Sequence, residues 1–123
     1  MLEDQQLMAF LATARADEAL VFYRDVLGLR FVADEYVALV FESSGVMLRI
    51  QKVEQHTPFP YTALGWKVSD LSAKVTELAR NGARFERFAG MAQDDLGIWT
   101  SPSGARVAWF KDPDGNVLSL TEF

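Results

Sequence analysis

The sequence predicts an α+β fold made of two successive strand–helix–three-strand units. Three observations carry that expectation. Hydrophobic spacing switches between the two-residue period of strands and the 3.6-residue period of helices, in the same order, twice along the chain. A stretch with two prolines and no period, EQHTPFPYT at 54–62, separates the two passes. The first helix stop and the strand after it read GLRF at 28–31, and the second read GARF at 82–85, so the halves repeat.

The first unit opens with LMAFLATA (7–14), an apolar run of strand length. DEALVFYRDVLG (17–28) follows at helical spacing, with Ala19, Phe22, Tyr23 and Val26 on one face, Asp17 placed to cap the start and Gly28 to end it. Next, LRFVADEYVALVFESSGVMLRIQKV (29–53) alternates as strands do and breaks at 33–35 and 42–45, which predicts three strands. The second unit begins with the strand candidate YTALGWKVSD (61–70). Its helix, LSAKVTELARNG (71–82), turns Leu71, Val75, Leu78 and Ala79 inward, with Ser69 or Asp70 as cap and Asn81–Gly82 as stop. RFERF (84–88) reads as a short strand, and 89–105 as a long exposed loop holding part of a strand near Ile98 and Trp99. VAWFKDPDGNVLSLTEF (107–123) closes the chain as a hairpin, its turn made by Asp112 and Asp114. The expected organisation is one domain, 1–123, with the first module at about 5–53, a linker at about 54–61 and the second module at 62–123.

Composition narrows the function classes. The 123 residues, half of them hydrophobic, suffice for a single core. A net charge of −5 and a pI near 4.8, without a basic cluster, argue against nucleic acid as a partner. No apolar run approaches the roughly 20 residues that cross a bilayer, and the start MLEDQQ is acidic, so the expected location is cytoplasmic, away from membranes. The absence of cysteine removes disulfides, thiolate metal sites and a cysteine nucleophile.

FYRDVLGLRFV (22–32), ELARNGARFE (77–86) and WFKDPDGNVLSL (109–120), in this order and spacing, resemble the vicinal oxygen chelate superfamily, which includes glyoxalase I, extradiol dioxygenases and bleomycin-resistance proteins. The resemblance covers nearly the whole chain. It implies paired βαβββ modules forming a curved mixed sheet around a cavity, helices on the outer face, and a homodimer. Metal-dependent members take one ligand from the first and one from the last strand of each module. Those positions fall here on Met8 and Arg49, and on Ala63 and Ser119. A divalent ion prefers imidazole nitrogens and carboxylate oxygens, which none of the four supplies. A register shift of one residue brings Leu7 or Ala9, Leu48 or Ile50, Thr62 or Leu64, and Leu118 or Leu120, which do no better.

The remaining candidates each have two readings. Arg49 either meets an anionic ligand in the cavity or pairs with an internal acid such as Glu42, and Gln51 shares its face. His56, the only histidine, is either an acid–base group or an ordinary linker residue. Among the aromatic residues Trp66, Trp99, Trp109, Phe41, Phe59 and Tyr61, Phe41 and Trp99 are assigned to the cavity wall, Trp99 as part of a lid. Asp94–Asp95 reads as solvated loop. The expectation is a metal-independent small-molecule binding protein of the glyoxalase/bleomycin-resistance type, for an anionic or aromatic ligand. Its contacts would be Met8, Phe41, Arg49, Gln51, His56, Ala63, Trp99 and Ser119, with no cofactor, no metal and no assigned catalytic residue. The alternative is a glyoxalase-like lyase, isomerase or dioxygenase-related enzyme with a divergent site.

Overall fold

The computed structural model describes the whole chain, residues 1–123. Two compact units emerge, Met1–Thr57 and Pro58–Phe123. The first contains β1 (Met8–Thr13), α1 (Ala16–Val21) running into a π-helical turn (Phe22–Val26), β2 (Arg30–Asp34), β3 (Ala38–Ser43) and β4 (Val46–Lys52). The second contains β5 (Thr62–Lys67), α2 (Leu71–Asn81), β6 (Trp99–Thr100), β7 (Arg106–Lys111) and β8 (Val117–Glu122).

Both units obey one plan. The first sheet has the order β1-β4-β3-β2 and the second β5-β8-β7-β6. In each, the first and last strands pair in parallel and the other neighbours are antiparallel. The helix supplies the crossover that a parallel pair requires. The result is an α+β fold of two βαβββ modules, as the repeat predicts.

Each helix covers one face of its sheet. In the first unit Ala19 and Tyr23 are fully buried, and the Tyr23 ring lies 5.8 Å from Phe41, which also meets Phe31 at 5.6 Å. Leu11, Leu39, Leu48 and Ile50 complete this core. In the second unit α2 buries Leu71, Val75 and Leu78 and packs on β7 and β8, where Ala108, Phe110, Leu118 and Leu120 are buried. Burying a side chain of this size contributes about 1.5 to 3 kcal/mol.

The helix signals hold for α2: Asp70 accepts from the Ala73 N–H at 3.2 Å, and Gly82 ends the helix at φ 116°, where a Cβ would be strained. Three expectations need correction. Asp17 is not the cap of α1, because the helix begins at Ala16; the capping position is Arg15, whose N–H goes to Thr13 Oγ1 at 3.0 Å. Ala79 is exposed rather than inward. RFERF does not form a continuous strand. It makes one bridge, Phe85 with Phe110, and one further bond from the Glu86 N–H to the Trp109 carbonyl. The chain then leaves the sheet and returns to the same edge of β7 as β6.

Candidate functional site

Strand alternation gives each sheet a second face, turned away from its own helix, and the candidate residues are read from these open faces. On the first sheet, the pairs Met8–Met47, Phe10–Arg49 and Ala12–Gln51 lie side by side across β1 and β4, and Val40 and Glu42 continue the face on β3. Met8, Phe10 and Met47 are 44%, 52% and 38% exposed. Apolar side chains thus stay in contact with solvent around Arg49. Phe10 and Met47 were not singled out in the sequence, although each stands two residues from a candidate and shares its face by alternation alone.

Arg49 does have an internal partner, but it is Glu35 rather than Glu42: Nη2 donates to Glu35 Oε1 at 2.9 Å. Both ends keep solvent contact, so the pair contributes at most about 1 kcal/mol. Only one of the five guanidinium donors is engaged by this bond. Glu42 instead accepts from Arg30 Nε at 2.6 Å and from the Gly45 N–H at 2.7 Å. The Gly45 bond, followed by Arg30, holds its carboxyl below the ordinary glutamate range. Gln51 is exposed on the same face. Phe41 is not: it belongs to the opposite face, fully buried under Tyr23, and is unavailable to a ligand on the open side.

On the second sheet, Ser119 sits in the middle of a row that crosses three strands, paired with Trp109 on β7 and Gly65 on β5. Ser119 is 7% exposed, and its Oγ leans so far over Gly65 that a Cβ there would come within 2.6 Å of it. Trp99 pairs with Val107 and so points to the same side as Trp109; their ring centroids are 6.0 Å apart. Phe88 meets Trp109 edge-on at 5.5 Å, and the Trp109 indole N–H donates to Thr62 Oγ1 at 3.2 Å. Ala63 lies exposed at an irregularity in β5 between Thr62 and Leu64. Trp66 pairs with Leu120 and therefore faces the helix. Phe88 could not have been found locally, since only the return of the chain to β7 brings it to the tryptophans.

The other candidates stand outside the strands. His56 is half-buried in the segment between β4 and β5. Asp94 organises its loop, Oδ1 accepting from the N–H groups of Leu96 and Ile98, both at 2.9 Å. Asp112 makes the terminal turn: it is buried, and its carboxylate accepts from the N–H groups of Asp114 and Asn116 and from the Asn116 amide.

The pattern of the Glyoxalase/Bleomycin resistance protein/Dioxygenase superfamily matches residues 5–120. The chain belongs to that superfamily. Among solved structures, a superfamily member from Sphaerobacter thermophilus DSM 20745 is 22% identical, with 100% of both chains covered and a TM-score of 0.76. A glyoxalase/bleomycin resistance protein from Catenulispora Acidiphila DSM 44928 is 24% identical over 96% of this chain and 97% of its own, at a TM-score of 0.70. Lactoylglutathione lyase from Agrobacterium tumefaciens is 18% identical over 97% of this chain and 93% of its own, at 0.73. At these identities the likeness is one of fold. No curated protein matches significantly.

The donor chemistry at the four strand positions bears on whether a metal fits there. Met8 and Arg49 stand on the open face of the first sheet, as the alternation predicts, and Ala63 and Ser119 on the first and last strands of the second. They offer a thioether, a guanidinium, a methyl group and a hydroxyl. No group of three or more His, Asp or Glu side chains in the chain is arranged to hold a metal ion. These residues do not fit a divalent cation. No helix is long and apolar enough to cross a membrane.

Proposed function

We propose that this superfamily member is a metal-independent small-molecule binding protein, working as a homodimer, and that nucleic acid is not its ligand. One observation carries the reading. The strand positions that would hold a metal lack suitable donors, while the faces around them carry apolar and aromatic side chains beside polar groups: exposed Met8, Phe10 and Met47 around Arg49, and half-buried Trp99 and Trp109 beside the buried Ser119. Apolar walls with a few placed polar groups are the usual composition of small-molecule sites. Arg49, with donors beyond the one bonded to Glu35, supports an anionic group on the first face. The binding role is favoured over an enzymatic one because no nucleophile–base pair is assembled among the strand residues of either face, and His56, the only histidine, stands in the segment between β4 and β5 rather than on a strand.

Thermal unfolding of the purified protein, screened against divalent metals and against a panel of small organic acids and aromatic compounds, tests the reading. Stabilisation by organic compounds, and by no metal, is expected from ligand linkage. Stabilisation by a divalent metal, reversed by chelator, would overturn it.

A further inference from the structure

A groove of about 300 Å³ runs between α2 and the loop that leaves the second sheet after Glu86 and returns to it as β6. It lies on the helix side of that sheet, away from the open face. Phe85, one of its walls, has its ring 5.3 Å from the buried Phe110, whereas Trp109, the neighbour of Phe110 on β7, turns the other way. Buried Val75 and half-buried Phe85 are the deeper apolar residues, and exposed Ala79 and Leu96 the outer ones. The groove stays open because α2 presents only a methyl group at Ala79, where a longer side chain would fill the space.

Two charges of opposite sign, Arg87 and Asp95, complete the lining. Both are exposed, and neither takes part in an ion pair within the chain. Arg87 Nη2 donates to the carbonyls of Asp94 and Asp95 at 2.7 and 2.9 Å, which holds the guanidinium and leaves the N–H groups of Nε and Nη1 for an external acceptor. The loop itself is tied at its neck by Gln93, whose amide donates to the carbonyls of Glu86 at 2.9 Å and Gly97 at 2.8 Å and accepts from the Phe88 N–H at 2.8 Å. Cation, anion and apolar walls are thus presented by a loop already ordered, which lowers the entropic cost of binding.

We propose that this groove binds a small apolar α-amino acid, with its carboxylate on Arg87, its ammonium on Asp95 and its side chain against Val75, Ala79, Phe85 and Leu96. The volume is at the lower end of small-molecule sites, so the ligand is small. Opposite charges on one loop select a zwitterion over a simple acid or amine, and the apolar walls select against glycine. The site is separate from both open faces and stands independently of the metal-independent binding reading.

The test titrates the isotope-labelled protein, read by amide NMR shifts, with four probes: L-leucine; 4-methylpentanoate, which lacks the ammonium; 3-methylbutylamine, which lacks the carboxylate; and glycine, which lacks the apolar side chain. L-Leucine should move the signals of residues 75–79 and 85–97 and bind at least about threefold more tightly than the acid or the amine, the scale of one solvent-exposed charge contact. Glycine should bind at least about tenfold more weakly than leucine. Asp95→Asn should erase the advantage of leucine over the acid, and Arg87→Gln its advantage over the amine. Ala79→Leu places a good helix former at an exposed helix position, so it should keep the fold and abolish the shifts by filling the groove. Should Arg87→Gln disturb the loop, the Ala79 and Asp95 variants, both at exposed positions, decide the matter without it. No shift in these residues at about 10 mM leucine overturns the site. Equal affinity for leucine and 4-methylpentanoate overturns the zwitterion class, and wild-type binding by Ala79→Leu overturns the location. Shifts confined to strand residues of the open faces also overturn this site, and they leave the open-face reading intact.

Discussion

Replacing Gly65 with alanine would set a methyl group 2.6 Å from Ser119 Oγ and 3.3 Å from the Ser119 carbonyl oxygen. Gly65 is not in the left-handed region, so alanine is allowed there, and in an open position the exchange would gain about 0.4 to 1 kcal/mol by restricting the unfolded chain. Against this stands the contact with Oγ. Relieving it requires Ser119 to leave its rotamer or β5 to move away from β8, at about 1 to 3 kcal/mol. The net expectation for Gly65→Ala is a loss of about 0.5 to 2 kcal/mol. Because the closest atom is the hydroxyl, Ser119→Ala should rescue it. In urea unfolding of the two single variants and the double variant, the double should recover at least about 1 kcal/mol relative to Gly65→Ala, a coupling well outside the ~0.5 kcal/mol scatter of independent sites. Additive effects, or a Gly65→Ala protein as stable as the wild type, would refute the placement of Ser119 Oγ over Gly65.

Three further outcomes follow from named contacts. Asp112→Ala removes the acceptor for three donors in the terminal turn and should lower stability by about 3 to 5 kcal/mol in urea unfolding, whereas Asp112→Asn keeps the shape and should lose about 1 to 2 kcal/mol. Arg49→Met breaks a solvent-exposed ion pair with Glu35 and should cost no more than about 1 kcal/mol, while weakening any anionic ligand found in the compound panel. Glu42 has its carboxyl pKa depressed in the fold, so between its folded and unfolded values the unfolded chain binds more protons; that contribution is present above the unfolded pKa and lost as pH falls through the folded one. Glu42→Gln should therefore flatten the acid decline of stability just below the ordinary glutamate range, as read by melting temperature against pH.

Much of the fold could be read from local chemistry. The α2 helix, with Asp70 at its start and Gly82 at its end, satisfies its terminal groups with neighbours in sequence, and the hairpin at 106–122 is set by Asp112 within its own turn. What escaped depends on long-range partners. RFERF has strand composition, but from Arg87 onward the chain is engaged by the loop itself: the Arg87 guanidinium donates to the carbonyls of Asp94 and Asp95, and the Phe88 N–H donates to the Gln93 side chain. α1 starts without a side-chain cap: Arg15 holds the capping position, its own N–H donating to Thr13 Oγ1, and Asp17 lies inside the first turn. Phe41 was misplaced for a different reason: residues 38 to 41 are all buried, so alternation along β3 gives no sign of which face is the helix side. On β4 the polar residues Arg49 and Gln51 break the apolar run, and there the face was legible.

The most direct test of the central claim is calorimetry of an organic ligand, chosen from the compound panel, before and after exhaustive chelation, with elemental analysis of the same samples. Met8, Arg49, Ala63 and Ser119 predict a protein without stoichiometric metal whose affinity is the same in both states, because no donor set in the chain is there to be emptied. About one zinc, nickel, iron or manganese per chain, with ligand binding lost on chelation and restored by the metal, would contradict the account.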